Sequence, residues 1–165
     1  MYIHFNTVKS ATVNELKKEL STLNAKEVGE LCLRLARFKK ENKELLTYLL
    51  FEAHNEQGYI ASVKEEIDKG FAGINQNNLY YVKKSLRKIL RNANKFLRYS
   101  GSKTTAADVL IYYCKKLKES GIPYHKSQMI LNIYQGQIKK IQKIVGELHE
   151  DLQYDYLPEL KKLKP

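Results

Sequence analysis

NNLYYVKKSLRKILRNANKFLRYSG, residues 77–101, is the stretch whose spacing sets the fold class. At 3.6 residues per turn, Leu79, Val82, Leu86, Ile89, Leu90, Ala93, Phe96 and Leu97 share one side, and Lys84, Arg87, Lys88, Arg91, Lys95 and Arg98 share the other. The predicted element is an amphipathic helix of about 22 residues, capped by Asn77 or Asn78 and closed by Gly101 in a left-handed conformation. Its six cations extend over about 21 Å at 1.5 Å per residue. Tyr80, Tyr81 and Tyr99 flank them, and no acidic residue occurs between Asp68 and Asp108 to neutralise them locally.

Working outward, the charge is uneven. Residues 77–101 hold seven basic and no acidic side chains, residues 1–76 balance, and residues 102–165 carry an excess of four, for a net charge of +11. A local excess of this kind points to a polyanionic partner more directly than a diffusely basic composition does. The 165 residues suit one domain over 1–165, and that length buries enough surface for a core. Only Cys32 and Cys114 are present, both at apolar helical positions, which favours free thiols in a reducing compartment. The longest apolar run, Leu45 to Phe51, is far below the ~20 residues of a membrane span. MYIHFNTVK at the amino terminus lacks the basic and apolar regions of a signal peptide, so a cytoplasmic protein is expected.

Capping signals divide the rest into helices. Residues 1–10 suit an extended arm that packs Tyr2, Ile3 and Phe5 on the body. Thr12 with Glu15, and Asn24 with Glu27, read as capping boxes for a helix to about Ser21 and another to about Lys40. The second is expected to bury Val28, Leu31, Cys32, Leu35 and Phe38. A third, from about Asn42, turns Leu45, Leu46, Leu49, Leu50 and Ala53 inward, and a fourth carries Ile60, Val63, Ile67, Phe71 and Ile74, frayed by Gly70 and Gly73. After the basic helix, Thr105 and Asp108 suggest a sixth helix stopped at Gly121 and Pro123. A seventh runs from about Ser127 to Tyr154, with Gly136 and Gly146 as weak points, before a short last helix after Pro158. No segment alternates with period two. The expectation is an all-α chain of about seven or eight helices in antiparallel hairpins, forming an irregular bundle or a short α-α superhelix.

Two echoes, Leu16-Lys17-Lys18-Glu19-Leu20 with Val82-Lys83-Lys84-Ser85-Leu86, and Leu45 to Leu50 with Val109 to Cys114, hint at a helical repeat. The Leu16-Lys17-Lys18-x-Leu20 opening, the helix around Glu30-Leu31, the lysine-rich helix after Tyr81 and the Asp108-x-Leu110-x-Tyr112-Tyr113 helix together resemble a family of uncharacterised all-helical bacterial proteins over roughly residues 14–120. That resemblance implies an all-helical bacterial domain and no particular activity.

Chemistry is sparse. His4, His54, His125 and His149 are scattered without metal-ligand spacing, and Glu147, His149, Glu150, Asp151 and Asp155 read as a solvated acidic face. No phosphate-loop, dinucleotide, nucleophile-elbow or zinc-protease motif occurs, so neither catalysis nor a cofactor or metal is expected. Tyr112, Tyr113, Tyr134, Tyr154 and Tyr156 suit the boundary between core and water. Three roles compete for the basic stripe. Lys84, Arg87, Lys88, Arg91, Lys95 and Arg98 would hold nucleic-acid phosphates, with Tyr80, Tyr81 and Tyr99 at the rim and no sequence specificity. Alternatively, the chain's own acids at Glu147, Glu150, Asp151 and Asp155, or Glu65, Glu66 and Asp68, lie beside the stripe and cancel it. Third, the stripe is the docking face of an adaptor for an acidic protein. A membrane-surface role is disfavoured, since the core needs this helix's apolar side.

Overall fold

Side-chain caps open the first two helices where the spacing predicts them. In the computed structural model, which describes residues 9–163, Thr12 and Asn24 form capping boxes: the Thr12 N–H donates to Glu15 at 2.7 Å and the Asn24 N–H to Glu27 at 2.9 Å. The described residues form α1 (Val13–Leu20), α2 (Ala25–Phe38), α3 (Lys40–Thr47), α4 (Glu56–Ala72), α5 (Leu79–Ser100), α6 (Lys103–Glu119), α7 (Gln128–Gly146) and α8 (Glu150–Leu163). A π-turn (Tyr48–Glu52) precedes α4 and a 3-10 turn (Tyr124–Lys126) precedes α7. No strand occurs among the described residues, and the fold is all-α. The packing expected of Tyr2, Ile3 and Phe5 lies outside the described residues.

Internal contacts gather into two compact units, Met1–Thr47 and Tyr48–Pro165, whereas length alone suggests a single domain. In the first, α2 packs on α3, and the Asn42 amide donates to the Leu35 carbonyl at 3.0 Å. No residue of α1, α2 or α3 is buried. The core face expected on α2 is therefore corrected: Val28 and Cys32 are half-buried, Leu31 and Leu35 are exposed, and Phe38 is 85% exposed. Two short helices offer each other one flank, so within this unit their apolar stripes lack a further layer to pack against.

In the second unit α6 is the central rod, touching α4, α5, α7 and α8. It is buried nearly all round, at Ala107, Val109, Leu110, Ile111, Tyr113, Cys114 and Leu117. Contacts of α4 and α8 with α6, and of α5 with α7, join helices two apart in sequence and add to those between sequence neighbours. Cross-links give the helix directions. The Tyr59 hydroxyl donates to the Phe96 carbonyl at 3.0 Å, and a Cβ added at Gly70 would meet Ile89, so α4 and α5 run antiparallel. Tyr156 reaches Asp108 at 2.9 Å while Lys118 reaches the Lys162 carbonyl at 3.0 Å, so α6 and α8 run parallel.

Several sequence expectations are revised. The π-turn bonds the Ala53 N–H to the Tyr48 carbonyl (2.9 Å), five residues back, and rotates the following side chains by about 100° relative to an α-helical register. Tyr48 consequently enters the core, while Leu49, Leu50 and Ala53 are exposed. α4 continues through Gly70 rather than fraying there, because the missing Cβ lets Ile89 approach. Ser102, not Thr105, caps α6; Thr105 is fully buried. The long seventh helix divides after Gly146, and Pro158 lies inside α8 rather than in the first turn of a last helix. Proline cannot bond the Tyr154 carbonyl, but Tyr154 is exposed and water can serve that oxygen.

Candidate polyanion interface on the fifth helix

α5 forms as its spacing requires. The Asn78 side chain accepts from the Tyr80 N–H at 2.8 Å, and Gly101 at φ 66° receives the chain at the other end. Val82, Leu86, Ile89, Leu90, Ala93 and Leu97 are buried on its inner side, which fixes the opposite side toward water. Lys84, Arg87, Lys88, Arg91 and Arg98 are all exposed there, and Lys95 is half-buried with its ammonium 4.9 Å from the Phe96 ring. None of those five exposed cations pairs with a carboxylate of the described residues.

Three of the acids that could neutralise the stripe are paired with other lysines. Glu147 pairs with Lys103 at 3.0 Å, an interaction that holds its carboxyl below the usual range. Asp68 is raised by burial, but Lys116 at 2.9 Å and the Tyr112 hydroxyl at 2.7 Å more than offset this and leave it lowered. Glu66 pairs with Lys69 at 2.6 Å. Glu66 does line, together with Lys88, a cleft of about 270 Å³ between α4 and α5. Glu150, Asp151 and Asp155 are exposed, and Asp151 lies 3.3 Å from His149.

The aromatic rim divides. Tyr80 and Tyr81 are 58% and 55% exposed and meet edge to face, with centroids 5.5 Å apart and the Lys83 ammonium over Tyr80 at 5.1 Å. Tyr99 instead packs partly on the core, 6.2 Å from Phe96. The other tyrosines take varied roles. Tyr113 and Tyr134 are fully buried, Tyr112 and Tyr156 bond Asp68 and Asp108 across helices, and Tyr154 is exposed.

One basic residue beside the stripe was not singled out from the sequence. Lys140 of α7 donates to the Asn94 side chain of α5 at 2.5 Å, and the two border a groove of about 420 Å³ with Arg91, Leu97, Arg98 and Ala106. Local desolvation holds its ammonium below the usual lysine range, although the side chain as a whole is exposed. A separation of 46 positions between Asn94 and Lys140 gives no local spacing signal; only the packing of α5 on α7 joins them.

The remaining polar clusters join helices. Glu56 accepts from the Tyr48 hydroxyl at 2.8 Å, from Thr105 at 2.6 Å and from Ser100. Burial raises its carboxyl, and these three hydroxyls outweigh that and hold it below the ordinary value. Cys114 is a free thiol pushed up to about 12 by burial, and Cys32 is free and half-buried. Among the described residues, no three His, Cys, Asp or Glu side chains are placed to hold a metal ion. None of the helices is long and apolar enough to cross a membrane, the described residues alone being considered. No family model, curated protein or solved structure matches the chain.

Proposed function

We propose that the outer side of α5 binds the phosphate backbone of nucleic acid without sequence specificity, the chain acting as a non-enzymatic binding or scaffold domain. The observation that carries this reading is the row of five exposed cations without carboxylate partners, on a helix whose opposite side is committed to the core. Unpaired surface cations remain available for phosphates, and counterions released from the strand supply the driving force. Tyr80 and Tyr81, exposed at the start of the row, offer faces on which an unpaired base can stack.

The test is fluorescence anisotropy with labelled random-sequence DNA and RNA 20-mers. A stripe engaging about four phosphates gives a log-log salt slope of roughly −3 to −4, and Lys84→Glu/Arg87→Glu/Lys88→Glu weakens binding by more than about tenfold. No binding at low salt, or undiminished binding by the triple variant, rejects the reading.

A protein adaptor is the second reading, favoured by the exposed apolar side chains of the first unit, among them Val13, Leu35 and Phe38. Capture of an acidic protein by the wild type at moderate salt, with no affinity for either oligonucleotide, would replace the first reading with this one.

A further inference from the structure

The groove between α5, α6 and α7 unites features found nowhere else along the stripe. Arg91 and Arg98 stand seven residues apart on α5, about two turns or 10.5 Å, on the same side of the helix. Lys140 joins them from α7. No carboxylate lines the groove, and neither arginine is ion-paired among the described residues. Leu97 and Ala106 supply an apolar floor. At about 420 Å³ the groove falls within the size range of ligand sites.

Lys140 is also held in place. Its ammonium donates to Asn94 Oδ1 at 2.5 Å, while Asn94 Nδ2 donates to the Leu90 carbonyl at 2.8 Å, so the amide is fixed in turn by the backbone of α5. An ammonium has three donors, and Asn94 uses one. The neutral amide does not balance the charge, and local desolvation accordingly lowers the Lys140 pKa. With no carboxylate paired to it among the described residues, the ammonium of the exposed Lys140 keeps its remaining donors for an arriving anion. Two guanidinium forks and a positioned ammonium match the several oxygens of a phosphate.

We propose that this groove is the anchor of the surface: Arg91, Arg98 and Lys140 grip a phosphate group of the bound strand, with Asn94 positioning Lys140. This deepens the nucleic-acid reading and rests on it for the identity of the ligand, while the oxyanion site itself can be probed separately. The consequence is unequal dependence on the cations. Lys84 is one exposed contact among several, whereas Lys140 belongs to a convergent group.

Two probes on the full chain test it: a labelled random-sequence 12-mer by anisotropy, and inorganic pyrophosphate by NMR of the arginine Nε–Hε resonances. Lys140→Gln is expected to weaken oligonucleotide binding about tenfold or more, Lys84→Gln about two- to threefold, and Lys140→Arg to retain most of the affinity. Pyrophosphate should shift the Arg91 and Arg98 resonances saturably in the wild type and not in Lys140→Gln, with circular dichroism confirming an unchanged fold. Oligonucleotide binding with equal losses in Lys140→Gln and Lys84→Gln and no arginine shift overturns the anchor and leaves the stripe. Saturable arginine shifts without oligonucleotide binding support the oxyanion site and defeat the nucleic-acid reading. If neither probe binds, both fall.

Discussion

Glu56 illustrates how much one side chain can hold together. It opens α4, and its carboxylate collects hydroxyls from Tyr48 in the π-turn, Ser100 at the end of α5 and Thr105 in the first turn of α6. Glu56→Gln leaves one acceptor oxygen for three donors and removes the charge, an expected cost of about 2 kcal/mol at pH 7 in urea unfolding. The folded carboxyl lies below its ordinary value of 4.5, so its contribution is present above about pH 4.5 and is lost as pH falls through the lowered folded value. The gap in stability between wild type and Glu56→Gln should therefore narrow from pH 6 to pH 3, and a constant gap would contradict this account. Gly70 illustrates the opposite case, a side chain that must be absent. A Cβ there would stand 2.6 Å from Ile89 Cγ1, a branch close to the backbone of α5 that cannot swing away. Gly70→Ala should cost about 1–3 kcal/mol, and less in an Ile89→Ala background. Additive costs in the double-mutant cycle would refute that contact. The sequence marks Gly70 only as a weak helix position, because its partner lies on another helix.

Among the elements, α5 was the most legible. Its cap at Asn78, its 22 residues, its left-handed closure at Gly101 and its two faces all follow from local spacing. Gly101→Ala places a Cβ at φ 66° and should lower stability by about 1 kcal/mol, read as a fall in Tm with unchanged helicity. α7 and α8 were less legible, since glycine permits a break without requiring one. Gly136 lies within continuous helix, whereas the chain leaves helix after Gly146 and returns so that Leu160 and Leu163 are buried. The π-turn was hidden as well: one extra residue in the hydrogen-bonded ring exchanges Tyr48 for its neighbours on the core side, and no local spacing announces it.

At the largest scale, every buried core residue among the described residues falls within Tyr48 to Leu163, and none lies in α1, α2 or α3. A fragment of residues 48–165 should therefore unfold cooperatively with a Tm within about 5 °C of the full chain, since the stabilising burial is retained. A fragment of residues 9–47 should show little helicity alone, because short helices without packing are marginal in water. A noncooperative 48–165 fragment would show that its core depends on the first 47 residues. What the sequence alone determined was the all-α class, most helix boundaries and the two-sided character of α5, because caps, periodicity and like charges act within a few residues along the chain. Tertiary structure alone decided that α6 is the central rod, that Glu147 and Asp68 are taken up by other lysines, and that Lys140 joins Arg91 and Arg98. Those outcomes depend on which helices meet, and that is a property of the packed chain rather than of any local run of residues.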